Sequence, residues 1–257
     1  MWKASLDLGD VQVPVKLYAA IEDRDIHFRL LHAKDAVPVR QRLVDPRTGE
    51  EIAPEAVQRG VALEPGIFVV MKDEELAAAH GEPSRTIEVM RFVPRGAIDA
   101  AWYSRPYFLG PDGSASEYGA LLAAMRDSEV VGVARWAMRG KRYFGALEAR
   151  DSHLALIAMH AAEEVVSAAQ LDAPSGVPVR EAERALADQL VAALEGTFDP
   201  AEVRDGYRER VLALIDAKEK GRPPRPVARE AAPGAVTDLS RALKQSIQRA
   251  RHKPHAA

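Results

Sequence analysis

The first eighteen residues constrain the fold most. Val11, Val13, Val15 and Leu17 alternate with Gln12, Pro14, Lys16 and Tyr18. That two-residue period is the signature of a strand with one buried face. A second alternating run covers residues 2–8, and Gly9-Asp10 between the two reads as a hairpin turn. Pro14 has no N–H for a ladder, so the reading sends this strand to an edge or a bulge.

Short runs of the same kind recur along the next 140 residues. They cover 26–32, 37–44, 67–71, 86–93, 102–109, 130–138, 142–147 and 154–159, with Gly and Pro between them. One stretch breaks the period. In 116–126, Tyr118, Leu121, Leu122 and Met125 fall three and four apart, on one helical face. Many short strands around one helix predict a barrel or a sandwich.

After Leu171 the period changes to that of helices. A helix over 179–194 places Ala182, Leu186, Leu190 and Leu194 on one face. The next has Asp199 as N-cap, Pro200 at the first position and Glu202 at the capping-box position. Its stripe is Val203, Tyr207, Val211 and Leu214, and Gly221 closes it. The Pro-rich run from 222 reads as an extended linker, leading to a short amphipathic helix with Leu239, Leu243 and Ile247 on one face. These stripes exceed what one small barrel can cover, which points to an obligate dimer. The domains expected are a core over 1–171, a helical arm over 172–221 and a linker with a basic helix over 222–257.

Net charge is −3, but it is unevenly spread. Residues 218–257 carry ten Lys/Arg against three Asp/Glu, a balance of +7, which leaves −10 on the rest. Two readings stand for a basic tail on an acidic body: an anionic partner, or a solvated tail. Any nucleic-acid site in the body must be a local patch, because the body's summed field is repulsive. The chain has no cysteine, so no disulfide, thiol chemistry or Cys-ligated zinc is expected, and no metal or other cofactor. There is no apolar run of membrane length and no secretory signal, so a cytoplasmic protein without membrane contact is expected.

Catalytic fingerprints fail as well. Gly140-Lys141 lacks the first Gly and the Ser/Thr of a phosphate loop. No Gly-x-Ser-x-Gly or His-Glu-x-x-His occurs. Glu163 and Glu164 are adjacent and diverge on a helix. The expectation is a protein that binds and does not catalyse. Its candidate contacts are cations on strand faces. Arg40 and Arg42 are two apart and share a face. Arg135 and Arg139 share another, with Lys141 and Arg142 at the hairpin tip and Trp136 and Tyr143 among them. Such clusters track phosphates, or serve as a solubilising surface paired with the surplus carboxylates.

The wording of the chain resembles the bacterial Ku family. The match includes Val13-Pro14-Val15-Lys16-Leu17-Tyr18, Thr48-Gly49-Glu50-Glu51, Ser84-Arg85-Thr86-Ile87-Glu88-Val89, Arg105-Pro106-Tyr107-Phe108-Leu109 and Tyr118-Gly119-Ala120-Leu121-Leu122. It continues through Phe198-Asp199-Pro200, Asp205-Gly206-Tyr207-Arg208 and Thr237-Asp238-Leu239-Ser240-Arg241-Ala242-Leu243. The resemblance implies a mixed, mainly β fold: a Ku-type β-barrel core with an inserted helix, then a C-terminal helical arm and a flexible tail. It implies a homodimeric ring around double-stranded DNA ends, without enzymatic activity, that recruits the multifunctional bacterial end-joining DNA ligase. The phosphate-contact role it carries over falls on Arg40, Arg42, Arg135, Arg139 and Arg142, and the partner contact on Leu239, Leu243 and Ile247. The chain departs from some members in having Val44-Asp45-Pro46-Arg47 where they have a Cys pair, His160 where Arg is common, and a short tail. The competing reading is a β-barrel protein–protein adaptor with a basic tail and no direct DNA contact.

Overall fold

The computed structural model describes residues 1–79, 84–138, 140–170 and 179–221. They belong to two compact units, Met1–Gln170 and Leu171–Ala257. In the first unit, β1 (Trp2–Asp7) turns back into β2 (Gln12–Ala19). The turn is the expected one, with Gly9 at φ 86°, a conformation that costs glycine little. β3 (Arg59–Glu64), β4 (Ile67–Met71) and a short helix α1 (Asp73–Ala79) follow. Then come β5 (Thr86–Pro94), β6 (Tyr103–Pro111), helix α2 (Ala115–Asp127), β7 (Val130–Met138), β8 (Lys141–Ala149) and β9 (Leu154–Met159).

Seven strands close a barrel in the order β1-β2-β6-β9-β8-β7-β5. Every pairing is antiparallel except the closing seam, where Ser5–Asp7 runs parallel to Thr86–Glu88. Alternation fills the interior: Leu6, Val13, Val15, Ile87, Leu109, Leu147, Leu154 and Leu156 are fully buried. Helix α2 adds Tyr118 and Met125 to that core. The Tyr118 hydroxyl donates to the Leu109 carbonyl at 2.6 Å and accepts from the Leu154 N–H at 2.7 Å, fastening α2 to β6 and β9. Its burial pushes the phenol above its ordinary pKa.

Pro14 needs a correction. Its strand lies inside the sheet, between β1 and β6. The Pro14 carbonyl accepts from Asp112 N–H at 3.0 Å, so this residue's main chain faces β6. The β2–β6 ladder begins one residue later, at Val15. The missing N–H therefore falls where no rung is required.

Gly145 marks the tightest packing. A Cβ placed there would sit 2.5 Å from the Ile157 carbonyl oxygen and 2.8 Å from the Trp136 ring. Backbone cannot yield, so Gly145→Ala is expected to cost about 3 kcal/mol, the upper end of the overpacking range. A fall in the urea midpoint at unchanged m-value checks this. A cost below about 1 kcal/mol would show that the ring and strand can move aside.

The stretch between β2 and β3 corrects a second expectation. Residues 26–32 and 37–44 form no ladder strands. The excursion is tied by two isolated bridges, Leu31↔Pro38 and Val44↔Glu51. Among the described residues the β3–β4 hairpin pairs only with itself. Its strands carry apolar side chains to both faces, and Val61, Phe68, Val69 and Val70 are all exposed, Phe68 by 63%. The alternation of the sequence is present here, but among the described residues no covering layer is.

In the second unit, α3 (Glu181–Leu194) and α4 (Gly206–Glu219) match the two expected helices in place. The start of the second differs. Asp199 accepts from Ala201 N–H but caps only a 3-10 turn, Pro200–Glu202. Asp205 caps α4, accepting from Tyr207 and Arg208 N–H at 2.9 and 3.0 Å. Gly221 ends it at φ 64°. Neither helix fully buries a residue, and Val191 and Tyr207 stand exposed. Among the described residues no helix is long and apolar enough to cross a membrane.

Candidate nucleic-acid interface

The β7–β8 hairpin builds the site. Gly140, at φ 75°, carries its turn. Trp136 and Tyr143 face each other across the pair and stack with ring centroids 5.5 Å apart. This inward pair braces the hairpin and leaves alternate residues pointing outward. Arg142 pairs with Ala137, two residues from Arg135, so Arg135 and Arg142 share the outer face. With Lys141 they line a hollow of about 320 Å³, closed on the β5 side by Ser84, Thr86 and Glu88. The Trp136 indole N–H is buried without an acceptor among the described residues.

The cations of this hollow are not equivalent. Glu88 lies directly across from Arg135. Its carboxylate accepts from Arg135 Nε at 2.7 Å and from Nη2 at 2.9 Å. Those bonds, and then the opposite charge, raise the guanidinium above its ordinary pKa. The side chains of Lys141 and Arg142 make no hydrogen bond or ion pair among the described residues.

Arg40 and Arg42 lie on the excursion between β2 and β3, not on a ladder strand, and do not line the hollow. Arg42 Nη1 donates to Glu51 at 2.7 Å. Arg40 is exposed and unpaired among the described residues. Elsewhere, Lys3 and Lys16 both bind Asp112, at 3.0 and 2.9 Å, and hold its carboxyl below the usual carboxylate range. Of the remaining sequence candidates, Arg139, Leu239, Leu243 and Ile247 lie outside the described residues. Lys141 was visible in the sequence as added charge. The role of Glu88 is not legible in the sequence, because only strand register reveals which cation it faces.

No three His, Cys, Asp or Glu side chains come together to hold a metal among the described residues. A closed barrel with an outward cationic hollow defines a protein surface suited to an anionic partner. The comparisons give that class its family. Residues 7–190 match the family described as "Ku70/Ku80 beta-barrel domain". A protein of Symbiobacterium thermophilum called "Non-homologous end joining protein Ku" is 35% identical over 252 residues, 97% of this chain and 63% of its own length. Proteins of the same name from Anaeromyxobacter sp. and Bacillus subtilis are 34% and 33% identical, each over 98% of this chain and over 86% and 82% of their own lengths. The chain belongs to the Ku family. It spans less than two thirds of the Symbiobacterium relative and most of the other two.

Proposed function

We propose that this chain binds double-stranded DNA ends without sequence preference, as a homodimeric ring, in non-homologous end joining. The observation that carries this reading is the hollow beside Arg135. It presents Lys141 and Arg142, unpaired among the described residues, on the β7–β8 hairpin, with hydroxyls from Ser84 and Thr86. This is phosphate-binding chemistry: charge and short donors fix position on a backbone and carry no base information. Arg40 adds a further open cation. The names of the relatives support the pathway.

The exposed β3–β4 hairpin and the two arm helices support the dimer. Each of these elements leaves large apolar side chains exposed, which marks an interaction surface. A second copy offers the same patches and covers them by symmetry. Titrating salt in a duplex gel-shift tests the DNA reading. With five or six phosphates neutralised, log K against log[salt] is expected to fall with a slope of about −5. A flat dependence would remove the backbone from the site and favour the adaptor reading.

The tail has a separate role in this reading. Leu239, Leu243 and Ile247 make one apolar stripe in a segment too short to be a stable helix alone, and they seat on the end-joining ligase. Deleting residues 233–257 is expected to leave dimerisation and most end binding intact and to abolish stimulation of the ligase on linear duplex. Equal stimulation by both forms would exclude the recruitment role. Loss of DNA binding on truncation would move the DNA site to the tail.

A further inference from the structure

We propose that Glu88 limits how tightly this surface holds DNA, by occupying the edge of Arg135 that a phosphate would take. The proposal rests on the DNA-binding reading and goes one step further, to what sets its strength.

A guanidinium meets a carboxylate or a phosphate in the same way, through two parallel N–H donors. Glu88 takes Nε and Nη2 together, at 2.7 and 2.9 Å. A backbone phosphate must displace the carboxylate or do without that fork. Both side chains are about half exposed, 50% and 46%. The exchange is therefore open to solvent and needs no buried charge.

The barrel does not depend on the pair. An exposed ion pair adds little to stability. The neighbouring rung holds the two strands through Ile87 and Trp136, which pair directly and are buried at 0% and 3% exposure. What the carboxylate does change is the charge of the hollow, which then offers two open cations in place of three. A simpler pairing of cation and carboxylate occurs on an unrelated element, where Glu51 accepts a single bond from Arg42 at 2.7 Å. A ring that travels along DNA from an end needs contacts weak enough to break at each step. A carboxylate that competes for Arg135 supplies that weakness.

The test is Glu88→Gln, with Glu88→Thr beside it as a second neutral residue suited to a half-exposed strand. Binding of a linear duplex is followed as a function of salt for each folded variant, alone and in an Arg135→Met background. With Arg135 released, the salt slope is expected to steepen by about 0.9 for each subunit whose Arg135 reaches a phosphate. At about 0.1 M salt this corresponds to roughly eightfold tighter binding per contact. The gain is expected to vanish in the Arg135→Met background. Folded neutral variants with unchanged slope and affinity would overturn the proposal and leave the DNA reading standing. A wild-type protein that fails to bind linear duplex would overturn both.

Discussion

Phe68→Asp combined with Val69→Asp is expected to convert the assembled protein to monomers that retain the barrel. The two residues are neighbours on β4 and point to opposite faces of the β3–β4 hairpin. Both are exposed in the single chain, at 63% and 43%. An isolated two-stranded hairpin is marginal in water, so a hairpin with apolar residues on both faces takes its stability from what covers it. On the proposed homodimer a partner copy would supply that cover, in an interface expected to belong to the large apolar class, above about 2,000 Å². A carboxylate buried without a partner at two central positions raises the dissociation constant by at least about a thousandfold, ~4 kcal/mol. Sedimentation velocity reads the loss, and circular dichroism checks that the barrel persists. A double variant that stays dimeric at micromolar concentration would show that the hairpin is not the joint.

Arg40→Glu with Arg142→Glu is expected to produce the largest loss of DNA affinity. These two cations carry no carboxylate partner among the described residues, so their whole charge is open to phosphate. Reversing both in each subunit removes up to four phosphate contacts. The salt slope is expected to flatten from about −5 to about −2 or less, and affinity near 0.1 M salt to fall about a thousandfold. Duplexes of different sequence are expected to weaken alike, because phosphate contacts carry no base information. Arg42→Gln and Arg135→Gln, whose charges are already answered by Glu51 and Glu88, are expected to cost less. If the paired and unpaired cations prove equally important, the ion pairs open on the DNA and the ranking fails.

Much of the barrel was legible because its strands obey one local rule. Alternation with Gly or Pro punctuation located β1, β2, β7 and β9 to within a residue or two, and helix α2 announced itself by spacing. The same rule misled over 26–44. Val37, Val39 and Leu43 alternate as a strand would, yet they are exposed and bonded through single bridges. Alternation reports that a face is meant to be covered, not that the cover belongs to the same chain. Pro14 misled for a different reason. Its cost depends on which neighbour its main chain faces, and that is a property of the sheet. At the start of α4, Asp199 and Asp205 are equally good caps locally. The residue that wins is the one followed by an uninterrupted turn, Asp205.

Of the site, the cations were legible and their inequality was not. Arg135 and Arg142 share a face by simple parity. That Arg135 is held while Arg142 is open depends on β5 lying beside β7 with Glu88 in register, a contact 47 residues apart in sequence. No window of sequence contains both partners. The Glu51 bond to Arg42 spans only nine residues, yet it depends on how the excursion between β2 and β3 folds back, which spacing alone does not give.

The most direct test of the account compares linear duplex with a covalently closed circle of the same sequence and length, each competing for the protein at one salt concentration. A ring that threads from an end is expected to bind the linear form and to leave the sealed circle free. Closing the linear DNA after loading is expected to trap the protein in a salt-resistant complex. Equal competition by the sealed circle, with no trapping on closure, would contradict end binding. It would leave only a cationic surface that touches DNA from the side.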